Sequence, residues 1–158
     1  MGLVTGAEKV FKNNSLGDMS LLIKKNEYSK YIYVKKFPPR KEGVKKYLLK
    51  HKSVLMDRKI RKFNETNWYE WGAPRNIKIM EENKGEECIY MYNVTRSVTI
   101  AFKGKVGYFG GALLMMKPKR PLHLDRIVQK LNSESFKKTF MYSGRFKISQ
   151  SQLCESYI

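Results

Sequence analysis

The sequence is poor in acid, cysteine and histidine, and each shortage removes a class of chemistry. Of its 158 residues 14 are Asp or Glu, two are Cys and two are His. Cys88 and Cys154 lie far apart and form no Cys-x-x-Cys pair. Free thiols in a reducing compartment are the default expectation, with a single Cys88–Cys154 disulfide as the alternative. His51 and His123 stand at no metal-ligand spacing, so no metal site is expected. The opening MGLVTGAEKVF has no long apolar run, and the apolar burst at Ala112–Met116 is too short to span a bilayer. A cytoplasmic protein without a membrane partner is expected. Enzyme signatures are missing too. There is no Gly-rich phosphate loop ending in Lys-Ser/Thr, no GxGxxG, no GxSxG and no HExxH. Glu81-Glu82 and Glu86-Glu87 flank a turn at Gly85 and read as a solvated hairpin. A nuclease needs clustered acids to hold divalent metal, and the carboxylates here are scattered.

What the sequence has in excess is positive charge. Its 32 Lys and Arg against 14 Asp and Glu give a formal net charge of +18. Solubility does not require that much. A field of this size attracts polyanions: DNA, RNA or an anionic membrane. The competing explanation is a lysine-rich composition with solvated faces. Length suits a single domain with a true core, burying roughly two-thirds of the unfolded surface.

The pattern along the chain predicts an α+β fold. A turn leads to the apolar pair Val10-Phe11, in a strand or short helix, and NNSLGD is a second turn. Leu21–Ile23 is a strand candidate, KKNEYSK the hairpin connection, and Tyr31–Phe37 the returning strand, stopped by Pro38-Pro39. Val44, Tyr47, Leu48, Val54 and Leu55 recur on one face and predict a long helix over Val44–Lys59. IKIM, CIYMY, SVTIAF and ALLMM supply strands for a curved mixed or antiparallel sheet. PKRP separates it from short C-terminal helices, one on Leu124, Ile127, Val128 and Leu131. Phe136, Phe140 and Tyr142 suggest a second after NSES, with Asn132 or Ser133 as cap. The tail reads as a loop with one brief strand.

Four segments carry candidate ligand contacts. Arg58, Lys59, Arg61 and Lys62, after the long helix, have the charge to neutralise phosphates. KGKVGYFGG carries Lys103 and Lys105, with Tyr108 and Phe109 expected to anchor a tight bend. YSGRFKISQSQL offers Arg145, Lys147, Gln150 and Gln152. Arg is the commonest reader of guanine, and Gln or Asn of adenine. In NWYEWGAPRN, Trp68 and Trp71 are expected in the core. Gly72 and Pro74 set a rigid turn, and Arg75 and Asn76 leave it in a fixed direction.

In order, these pieces resemble the C-terminal specificity domain of adenine-specific DNA methyltransferases of the TaqI type, found in type II restriction-modification systems. Gly2 and Gly6 before Val10-Phe11 match the family's Gly-x-x-x-Gly opening. KKYLLKHKSVLMDRK matches its helix, NWYEWGAPRN its Trp-to-Asn stretch, VQKLNS its closing helix and YSGRFKISQSQL its tail. The resemblance covers nearly the whole chain. It implies one target-recognition domain over residues 1–158 that holds and reads duplex DNA, while a separate catalytic domain binds S-adenosylmethionine and methylates a flipped adenine. The chain departs from the full enzyme: the Asn/Asp-Pro-Pro-Tyr/Phe motif is absent, FPPR at Phe37–Arg40 being no substitute, and so is the cofactor loop. No catalytic residue and no cofactor site are therefore carried over. The expected partners are duplex DNA and a methyltransferase catalytic domain, in cis or on another chain. The other classes left open are a small metal-dependent nuclease and an RNA-binding structural protein.

Overall fold

The structure is a computed structural model that describes residues 1–120 and 123–156. Pro121 of the predicted PKRP separator and the last two residues of the predicted tail lie outside the described residues. The fold is mixed α+β, with curved, open sheet and several short helices. The chain divides into two compact units, Leu3–Ile77 and Met1–Gly2 with Lys78–Ile158.

The N-terminal unit begins with the one-turn helix α1, Glu8–Phe11. The antiparallel hairpin of β1, Met19–Lys24, and β2, Glu27–Tyr31, follows. The predicted hairpin is displaced here. KKNEYSK is not the connection: Lys24 pairs with Glu27 across a two-residue turn at Lys25-Asn26, and Asn26 takes φ 59°. Asn tolerates that left-handed conformation, which is what a tight hairpin turn demands. The pairing ends at Tyr31, and Ile32–Phe37 runs on outside the strand.

The predicted long helix is two: α2, Glu42–Lys50, and α3, Lys52–Met56. His51 interrupts them at φ −103°, ψ 8°, its N–H donating to the Leu48 carbonyl at 3.0 Å. Leu48 and Leu55 are both buried. Seven residues is close to two helical turns, so both share a face with or without the break. Val54, predicted on that face, is exposed.

Trp71 is the centre of this unit. Phe11, Tyr31 and Tyr33 surround it at ring-centroid distances of 6.4, 6.0 and 4.9 Å. Its indole N–H donates to the Ile32 carbonyl at 2.9 Å, so the ring is buried without an unsatisfied donor. Trp68 is buried as well. The turn after them is held to the chain start, Gly72 N–H donating to Thr5 O at 2.9 Å and Ala73 N–H to Val4 O at 2.8 Å. A Cβ on Gly72 would stand 2.5 Å from the Ile60 side chain, which would have to shift to admit it.

The predicted strand IKIM is a helix instead, α4, Ile77–Glu82, which from Lys78 onward belongs to the C-terminal unit. A four-residue apolar run carries no period of its own, and here Met80 is buried while Ile79 is exposed. The sheet has β3, Glu87–Tyr92, between β5, Ala101–Lys105, and β6, Leu113–Met116, all antiparallel. Cys88, Ile89, Tyr90 and Met91 are consecutively buried, as a central strand covered on both faces requires. Ile89 and Met91 join Ile100, Leu114, Leu124, Leu131, Phe146, Ile148 and Leu153 in one cluster. On the other face Tyr90 packs against Phe102 and Phe109.

Helix α5, Leu124–Leu131, falls where the apolar spacing puts it, while helix α6, Glu134–Thr139, carries Phe136 but ends before Phe140 and Tyr142. Ser133 caps α6 through the Phe136 N–H. Asn132 ties α5 to β5: its Oδ1 accepts from Ile100 and Ala101 N–H at 2.7 and 3.0 Å, and its Nδ2 donates to Ala101 O at 2.8 Å. The tail is more structured than a loop. β7, Met141–Tyr142, and β8, Arg145–Lys147, form a hairpin, β4, Val94–Thr95, pairs with β8, and α7, Gln150–Glu155, follows.

Candidate nucleic-acid interface

The predicted contact residues divide between the two units. In the N-terminal unit, Arg58 is a correction: it is buried at 8 % exposure. Its Nε donates to Leu55 O at 2.8 Å, Nη1 to Thr5 O at 2.8 Å and Nη2 to Trp68 O at 2.6 Å. The guanidinium lies 3.7 Å from the Phe63 ring centroid. A fork of donors aimed at three carbonyls is interior architecture, so Arg58 leaves the phosphate-contacting set. Burial, and then the charge of Arg61, draw its pKa down to about 10.

Arg61 is half-buried and bound to Glu70 at 2.7 Å and to Trp71 O at 3.1 Å. Lys59 and Lys62 are exposed. Arg75 and Asn76 are exposed at the exit of the Gly72–Pro74 turn, Asn76 at φ 61°, and both have partners within the protein.

In the C-terminal unit Lys103 and Lys105 lie on β5, both exposed. Lys103 is bound to Asp125 at 2.7 Å, and that hydrogen bond raises its pKa. Phe109 is buried, as expected of a bend anchor, and the Tyr108 hydroxyl donates to Glu81 at 2.9 Å. Gln150 and Gln152 are on α7 rather than a loop. The Gln152 Oε1 accepts from Ser149 N–H at 2.9 Å while Ser149 Oγ accepts from Gln152 N–H at 3.2 Å. This reciprocal capping box occupies the carbonyl end of the amide. With Lys147, these glutamines border an open concavity of about 690 Å³.

Arg145 and Lys147 are brought together with residues the sequence did not single out. On the sheet β4–β8–β7, Val94 is opposite Lys147 and Tyr142 is opposite Arg145. Cross-strand partners share a face, and successive residues of a strand alternate. One face therefore carries Phe146, which is buried. The opposite face carries Val94, Tyr142, Arg145 and Lys147, all exposed. Tyr142 is 65 % exposed, and the Lys147 ammonium lies 5.8 Å from its ring centroid. Sequence reasoning placed Tyr142 with a helix. Its place beside Ser143-Gly144, a turn pair at φ 47° and 71°, was the signal for a hairpin.

Among the described residues no three His, Cys, Asp or Glu side chains come together as a metal-holding group. No helix among them is long and apolar enough to cross a membrane. Cys88 and Cys154 are free thiols, one buried and one exposed. No protein-family model matches the chain, and no curated protein matches it.

Proposed function

We propose that this chain recognises duplex DNA in a sequence-dependent way, as the specificity part of an adenine-N6 DNA methyltransferase of a restriction-modification system. On this proposal the chemistry belongs to a catalytic domain, in cis or on another chain, that binds S-adenosylmethionine. The protein then works in the cytoplasm. One observation carries the DNA-binding half: an exposed aromatic flanked by Arg145 and Lys147 on one face of a small antiparallel sheet. The major groove of B-DNA admits a two-stranded ribbon, and Arg is its commonest reader. The charge agrees. Even if every Asp and Glu took one basic partner, 32 Lys and Arg against 14 acids would leave 18 cations unmatched. The methyltransferase half rests on the resemblance of the motifs in order.

The experiment is selection from a random duplex pool by the full chain, followed by competition with duplex RNA. A defined short consensus containing adenine, preferred over RNA, is the expected result. Enrichment of no sequence would remove the specificity role. Preference for RNA would favour the RNA-binding class, and magnesium-dependent plasmid cleavage the nuclease class. With the consensus in hand, adding a catalytic domain of this enzyme type should direct adenine methylation to that site.

A further inference from the structure

A second concavity in the C-terminal unit gathers three cations that the sequence did not single out, Arg96, Lys137 and Lys138, beside Arg145. Its volume is about 310 Å³, and it is lined by Thr95, Arg96, Ser97, Lys137 and Lys138, with Arg145 at its border. The one carboxylate in its lining, Glu134, is 2.6 Å from the Lys137 ammonium. The same ammonium donates to the Val98 carbonyl at 3.2 Å, and the Lys137 side chain is only 12 % exposed. Lys137 is thus held in place before any ligand arrives. Its hydrogen bond keeps the Glu134 carboxyl below the usual carboxylate range. Glu134 therefore stays ionised, and four cations against one anion leave a net of three positive charges. The Ser97 N–H donates to Thr95 Oγ1 at 3.0 Å, fixing the segment that carries Arg96.

Cations crowded around one recess repel one another unless an anion neutralises them. Hydroxyls, two ammonium groups and two guanidinium groups disposed around a cavity suit an anion with oxygens pointing several ways, which is phosphate. We propose that this recess binds a phosphate group and, resting on the DNA-recognition proposal above, that the phosphate is a phosphodiester of the bound duplex. It would fix the duplex backbone while the adjoining β7–β8 hairpin addresses the bases, the usual division between positioning and reading contacts.

The test uses the full chain, isotope-labelled, titrated with inorganic phosphate, together with duplex binding by an Arg96→Ala/Lys138→Ala variant across a salt series. A Lys9→Ala/Lys46→Ala variant serves as control for lost charge. Saturable shifts at the amides of Arg96, Ser97 and Lys138 are expected. The first variant should lose about tenfold or more in duplex affinity and about 1 in salt slope, at close to 0.9 for the one phosphate held, and the control much less. If wild-type binds duplex and both variants lose affinity equally, the phosphodiester assignment is overturned while DNA recognition stands. If wild-type binds no duplex, DNA recognition fails and the titration decides the recess alone. Saturable shifts then keep a phosphate site for a small ligand, and their absence overturns it.

Discussion

Replacing Arg58 by Leu would remove the donors that Leu55, Thr5 and Trp68 carbonyls share inside the N-terminal unit. A buried polar group left unpaired costs about 1–3 kcal/mol, so Arg58→Leu should destabilise by about 3 kcal/mol or more in urea unfolding. Duplex affinity per folded molecule should be unchanged. A fully stable variant that loses DNA binding would return Arg58 to the surface set. The two thiols differ in the same way. Burial pushes Cys88 up from 9.0 to about 11, whereas Cys154 is exposed. At pH 8 a thiol reagent should modify Cys154 and leave Cys88 until the chain unfolds. The pH dependence follows. Between pH 9 and 11 the unfolded Cys88 has lost its proton while the folded one keeps it. The unfolded state binds fewer protons there, so stability falls as pH rises. Tyr31 acts with the same sign, since burial and its hydrogen bond to Glu8 raise its pKa. Melting temperatures at pH 8 and 10.5 should drop more for wild-type than for Cys88→Ala.

Among the elements, the β7–β8 hairpin is the one proposed to address the bases. Its turn holds Gly144 at φ 71°, and a Val there costs roughly 1–2 kcal/mol in left-handed backbone. Gly144→Val should splay Tyr142 from Arg145 and weaken duplex binding. Asn26→Val strains the β1–β2 turn comparably, at φ 59°, and should leave binding intact. Equal losses in both variants would mean the hairpin is only scaffold. Helix α7 gives a stability test, because Ser149→Ala breaks the capping box and should cost about 1 kcal/mol. That helix was legible: Ser149 and Gln152 stand at the spacing of a capping box just before Leu153. Asn26 likewise marked the true turn of the first hairpin. By contrast, nothing in the apolar spacing of Leu48 and Leu55 could announce the break at His51.

The whole molecule is dominated by its charge, which no arrangement of 14 acids can balance. Duplex binding should therefore release counterions. With about 6 phosphate contacts, affinity should fall roughly a thousandfold between about 50 and 200 mM salt. Fluorescence anisotropy at four salt concentrations measures this, and a flat response would defeat the electrostatic basis of the proposal. The fields of the two units add at long range, so the slope reports the sum of contacts and the variants above report where they lie.

By itself the sequence determined the fold class, the core aromatics of NWYEWGAPRN and the chain's own positive charge. Those depend on composition and local period, which need no partner in space. It also narrowed the cap to Asn132 or Ser133 and marked a helix on Leu124, Ile127, Val128 and Leu131, since both signals are local. Only the tertiary structure decided which cations are surface groups. Arg58 and Lys59 are neighbours of like charge, yet one is buried among carbonyls and the other is exposed. The same holds for Tyr142, Arg145 and Lys147, which share a face through strand register. The recess at Arg96 joins residues about forty positions apart. Register and burial are set by long-range pairing, and the linear order of residues does not carry them.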